Sequence, residues 1–228
     1  DGTNGYELWK SDGTASGTVM VKDINSGSST SFSNSPTTFS RFTAVGNTLY
    51  FQANDGTHGY ELWKSDGTTS GTVMVKDINS VTSNSDLNYL TAVGNTLYFR
   101  ADDGINGAEL WKSDGTASGT VMVKNIRSGS YSGSNIKYIT AIGNTLYFSA
   151  SDGTNGEELW KSDGTASGTV MVKDIRGPSG SSSPDAFTVV GSTLYFRADD
   201  GTNGYELWKS DGTASGTVMV KDIYSGSN

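Results

Sequence analysis

Cysteine is absent from the 228 residues, and histidine occurs once, at His58. The first absence excludes disulfides and cysteine-rich metal sites. The second leaves any Ser–His–Asp chemistry dependent on a single imidazole, and His58 stands where the other repeats carry Asn4, Asn106, Asn155 and Asn203. Positive charge is also short: 16 Lys and Arg against 24 Asp and Glu give a net charge of −8. Nucleic acid and anionic membrane surfaces both call for a basic patch, so neither is an expected partner. No apolar run approaches the ~20 residues that span a bilayer, and membrane insertion is not expected. The chain shows no initiating Met and no signal-peptide pattern, which reads as a mature product or a segment of something longer. Hydrophobic residues make up only 34%, but 11% aromatics keep the chain out of the disordered class.

What is present is repetition. The stretch ELWKSDGTASGTVMVK, from Glu7 to Lys22, returns at Glu61, Glu109, Glu158 and Glu206, with Thr69 in place of Ala15 the only change. The preceding Asp-Gly pairs begin at Asp1, Asp55, Asp103, Asp152 and Asp200, which are 54, 48, 49 and 48 residues apart. Periods of this size belong to solenoids, propeller blades or domain arrays.

One unit can be read strand by strand. Leu90 to Val93 is a short apolar strand, and Gly94-Asn95 suits a two-residue hairpin turn. Thr96 to Ala101 returns, Glu109 to Lys112 makes a third strand, and Thr120 to Ile126 a fourth. Helix fails as an alternative, because turn residues interrupt the chain every few positions. Val121, Met122 and Val123 in succession, like Leu110 and Trp111, place apolar groups on both faces of the sheet. A four-strand repeat of about 40–50 residues covered on both faces predicts an all-β fold, a β-propeller. The expected organisation is a single repeat domain, 1–228. It holds a half-blade at 1–26 and four full blades near 37–80, 87–128, 136–177 and 185–225.

The pattern Glu-Leu-Trp-x-x-Asp-Gly-Thr followed by x-x-Gly-Thr-Val-x-Val-Lys-Asp-Ile resembles the ELWxxDGT repeat family, over essentially the whole chain. The resemblance implies a propeller from a large exported bacterial protein, located outside the cell or at its surface. That family brings no established catalytic residues, so no enzyme activity is implied.

Two further expectations concern contacts. Five second hairpins but four first hairpins leave the opening unit half built. Either an upstream hairpin is missing or another molecule completes it, and self-association through this incomplete N-terminal blade is the expected partnership. The stretches between blades, 25–42, 79–90, 127–139 and 176–187, vary most and carry Phe32, Phe39, Tyr131 and Asp185. In a propeller they share one face, the candidate surface for a glycan or protein ligand, although drift in solvated linkers is the favoured reading.

The remaining chemistry is repeated rather than unique. Glu7 and Asp12 could pair for glycoside hydrolysis, but each recurs five times where an active site is normally single. Asp12 to Gly17, with Asp23 at the twelfth position, superficially follows a calcium loop. Thr and Ser replace carboxylates there and Asn125 stands for Asp23, so a hydroxyl-stabilised turn is favoured and no cofactor is expected. Trp9, Trp63, Trp111, Trp160 and Trp208 could stack on sugars, but the favoured reading makes them structural wedges between blades. Glu109 is expected to pair across strands with Lys124.

Overall fold

A computed structural model describes residues 2–32, 42–80, 84–129, 133–223 and 225. The architecture is a β-propeller of antiparallel sheets, one with two strands and four with four strands in chain order. The half-blade pairs β1 (Leu8–Lys10) with β2 (Val19–Lys22). The first full blade comprises β3 (Thr43–Val45), β4 (Thr48–Asn54), β5 (Tyr60–Ser65) and β6 (Val73–Lys76). The second comprises β7 (Asn88–Val93), β8 (Thr96–Asp102), β9 (Ala108–Ser113) and β10 (Val121–Lys124). The third runs through β11 (Lys137–Ile142), β12 (Thr145–Ser151), β13 (Glu157–Ser162) and β14 (Val170–Lys173). The fourth runs through β15 (Asp185–Val190), β16 (Thr193–Asp199), β17 (Tyr205–Ser210) and β18 (Val218–Lys221).

The sequence reads as one repeat domain, whereas the structure is organised as two compact units. One contains Asp1–Ile105 and Lys112–Val121, the other Asn106–Trp111 and Met122–Asn228.

Local geometry follows from a few residues. The Gly94-Asn95 turn closes the pair Val93↔Thr96, and of its two residues Gly94 alone takes positive φ, +57°. That is the requirement of a turn whose first corner only is left-handed. In β7, β11 and β15 the register slips, and Tyr89, Tyr138 and Ala186 sit at the slip with φ of 56°, 58° and 54°. These are bulges in which a residue with a side chain occupies the left-handed region. A second slip, between Leu62 and Trp63, recurs at Leu159 and Trp160. Leu62 and Trp63, on opposite faces of the strand, are both buried, at 0% and 5% exposure.

The core lies between blades. In the first unit Leu8, Val21 and Ile24 of the half-blade pack against Phe51, Ala53 and Trp63 of the next blade. In the second, Tyr147, Leu159, Val172 and Ile175 meet Leu194, Phe196, Ala198 and Trp208. In both pairs the earlier blade presents a Leu-Val-Ile face forward and the later one a Phe-Ala-Trp face backward. Trp63, Trp111, Trp160 and Trp208 are buried. The expectation of a buried Trp9 does not hold: the residue is 43% exposed.

Candidate functional site

The repeated carboxylates were the most promising chemical groups in the sequence, and the fold buries one set of them. Glu7, Glu61, Glu109, Glu158 and Glu206 all lie at 8% exposure or less. Each accepts a hydrogen bond at Oε2 from the backbone N–H of the isoleucine 17 residues later. The distances are 2.9 Å to Ile24, 2.8 Å to Ile78, 3.0 Å to Ile126, 2.9 Å to Ile175 and 3.0 Å to Ile223. Three of them also accept a serine hydroxyl from the following connection. Ser31 donates to Glu7 at 2.6 Å, Ser134 to Glu109 at 2.7 Å and Ser182 to Glu158 at 2.6 Å.

The same serines tie neighbouring blades through their backbones. Ser31 N–H donates to Tyr6 O at 3.0 Å, while Asn54 N–H donates to Ser31 O at 3.0 Å. Ser134 does the same between Ala108 O and Ser151 N–H, at 3.1 and 2.8 Å. The glutamate is therefore an anchor that fixes the end of one blade to the start of the next. The expected Glu109–Lys124 pair is not formed. Lys124 Nζ donates instead to Thr169 O at 2.7 Å, because the carboxylate is turned inward onto three donors.

Burial raises three of these acids, Glu61, Glu109 and Glu158. Glu61 is pushed up from 4.5 to about 7, with Asp77 adding to the effect of burial and the Ile78 N–H opposing it. Its Oε1 is buried with no hydrogen-bond partner among the described residues. Glu109 and Glu158 are raised for the same reason, against the pull of Ser134 and Ser182.

The Asp-Gly-Thr turns are likewise self-contained. Asp12 Oδ1 accepts the Thr14 N–H at 2.9 Å and its hydroxyl at 2.7 Å; Thr14 Oγ1 then accepts Gly17 N–H at 2.9 Å. The Thr14 hydroxyl and N–H hold Asp12 below the ordinary carboxylate range. A Cβ on Gly17 would fall 1.9 Å from Asp12 Oδ1, so glycine is needed here for space. Among the described residues, no group of three or more His, Cys, Asp or Glu side chains is arranged to hold a metal.

His58 belongs to a parallel device. Its Nδ1 lies 2.8 Å from Asp55 Oδ2, and its N–H donates to Asp55 Oδ1 at 2.9 Å. Asn155 and Asn203 make the same two bonds to Asp152 and Asp200. Burial works to raise Asp55, but hydrogen bonds from His58 and Thr57 outweigh it and hold the acid low. The Asp55 hydrogen bond and charge raise His58 in turn.

The four residues proposed for a ligand face fare differently. Phe32 packs on Phe42 and Phe51 with centroids 5.5 and 5.7 Å apart, as part of the core around Leu8 and Trp63. Asp185 opens β15 and pairs with Arg197, Nε to Oδ1 at 2.9 Å, while the guanidinium lies 4.7 Å over the Tyr205 ring. Phe39 and Tyr131 lie outside the described residues. Sequence reasoning missed the glutamate–serine anchors. The signal was a serine recurring at Ser31, Ser85, Ser134 and Ser182 inside otherwise variable connections.

No family model matches the chain, and no curated protein matches it. Solved structures do. Two structures of puromycin hydrolase, the first a mutant complexed with PGG, are 16% identical, with TM-scores of 0.53 and 0.52. The matches cover 79% and 81% of this chain but only 28% and 30% of the hydrolase. TolB from Acinetobacter baumannii is 15% identical over 90% of this chain and 46% of its own, with a TM-score of 0.48. The likeness to the hydrolase concerns the fold alone, and this chain spans less than a third of that protein's length.

Proposed function

We propose that this chain is a structural, self-assembling module of an extracellular bacterial surface protein or fibre, with no catalytic role. The observation that carries the reading is the destination of the repeated polar groups. Glutamates hold the connections between blades, aspartates close turns, and lysines reach carbonyls of the following blade, as Lys10 reaches Gly67 O at 2.8 Å. Such groups build a scaffold, and a scaffold with bare apolar faces associates. The ELWxxDGT resemblance supports the bacterial and extracellular setting. Light scattering across a concentration series, with negative-stain images of the same samples, tests the assembly. Mass should grow with concentration, and a monodisperse monomer throughout would overturn the reading. Titration with glycans separates it from a multivalent binding module, which would take up several ligands per chain.

A further inference from the structure

The described blade junctions share one set of contacts. At the third-to-fourth junction, Leu159, Val172 and Ile175 receive Phe196, Ala198 and Trp208. Lys161 Nζ donates to Gly212 O at 2.8 Å, and Lys173 Nζ to Thr217 O at 2.8 Å. Lys173 also sits 5.7 Å from the Trp208 ring centroid, and the Tyr147 hydroxyl rests against Gly212. The half-blade-to-first junction repeats the lysine contacts, with Lys10 on Gly67 O at 2.8 Å, and Lys22 on Thr72 O at 2.7 Å and over Trp63.

The fourth blade carries the same forward face at the same register, as Tyr195, Leu207, Lys209, Val220, Lys221 and Ile223. Leu207, Val220 and Ile223 are 40%, 45% and 70% exposed, where Leu159, Val172 and Ile175 are 0%, 7% and 9%. The side chains of Lys209 and Lys221 are exposed and make no hydrogen bond or ion pair among the described residues. A depression of about 530 Å³ on this blade is lined by Val190, Tyr195 and Leu207 among others. The backward face of the half-blade is bare as well. Trp9 is 43% exposed against 6% for Trp208.

We propose that a second molecule of this chain docks head to tail, its half-blade seated on the fourth-blade face of the first. The inference rests on the self-assembling reading and specifies its joint. Trp9 of the second molecule enters the Leu207–Val220–Ile223 face, with Lys221 over its ring and donating to the Thr18 carbonyl. Lys209 donates to the Gly13 carbonyl. The occupant follows from continuity, since each described copy of this face is covered by a backward face of the same sequence. Two different surfaces meet, so the association is heterologous and continues into rings or filaments. A central tryptophan anchor with charged groups at its margin suits such a joint.

Light scattering of two variants tests this. Leu207→Glu spoils the forward face and Trp9→Glu the backward face. The two residues are 40% and 43% exposed, and thermal unfolding checks that each variant keeps the fold. Each variant alone should remain a monomer, and an equimolar mixture should form a dimer and stop there. Lys209→Glu, which alters only the polar margin, should raise the concentration needed for assembly by about tenfold or more. Wild-type chain that stays monomeric removes the proposed function together with this joint. Wild-type growth matched by growth of Leu207→Glu, or a mixture that gives no dimer, removes this joint and leaves self-assembly standing.

Discussion

At the scale of the residue, the buried glutamates give the molecule a pH dependence whose sign is fixed. Below the ordinary glutamate value of 4.5, Glu61 is neutral in both folded and unfolded chains. Between there and about 7 the unfolded chain ionises first, so stability falls as pH rises, and the loss is complete above the folded value. Glu109 and Glu158 are raised by the same burial and act in the same direction. Asp66, held low by the Thr68 hydroxyl and N–H, acts oppositely: its contribution is lost as pH falls through its folded value. Urea midpoints should therefore peak at mildly acidic pH, and Glu61→Gln should flatten the decline toward neutrality. A Gly168→Ala chain should lose about 1–3 kcal/mol, because the new Cβ would fall 2.0 Å from Asp163 Oδ1. Removing the clash with Asp163→Ala should make the two changes clearly non-additive in a double-mutant cycle. The turn aspartates were legible in sequence, because Asp-Gly-Thr is local chemistry. The glutamates were not: their partners lie 17 and 24 or 25 residues away, and Lys124 offered a nearer but incorrect pairing.

Among the elements, strand number and hairpin positions could be read directly, since Gly94-Asn95 and SDGTASG mark the turns. The ends were less legible. Thr120 to Ile126 reads as one strand, yet β10 stops at Lys124, because the Ile126 N–H goes to Glu109 rather than to a ladder partner. Bulges were invisible, for nothing about Tyr89 or Ala186 announces a left-handed backbone. Ala186→Gly should accordingly raise stability by up to about 1 kcal/mol, since glycine adopts that conformation freely and the exposed methyl is little missed. Tryptophan at the blade junctions behaves by burial, not by type. Trp63→Ala should cost about 3–5 kcal/mol in chemical denaturation, whereas Trp9→Ala in dilute monomer should cost far less. Equal losses would show that Trp9 is packed as tightly as Trp63.

For the whole molecule, periodicity was the decisive clue, and it carried the propeller without any single distinctive residue. What it could not carry was the uncovered state of the two outer faces. Leu159 and Leu207 sit in the same sequence context, yet one is 0% and the other 40% exposed, because exposure depends on the neighbour. A chain given a second copy of residues 152–199 should fold cooperatively, with a denaturant midpoint no lower than the parent and a steeper dependence on urea. Loss of cooperativity would mean that the blades are not equivalent neighbours. The lysine contacts explain why equivalence is expected. Lys10, Lys64 and Lys161 each reach a main-chain oxygen, of Gly67, Gly115 and Gly212, and every residue type supplies such an oxygen. Any unit can therefore follow any other, without a matched change elsewhere. Slippage while a gene of near-identical segments is being copied would be harmless in whole units and ruinous in fractions. A lineage could lengthen or shorten such a protein in a single generation without inventing a new contact.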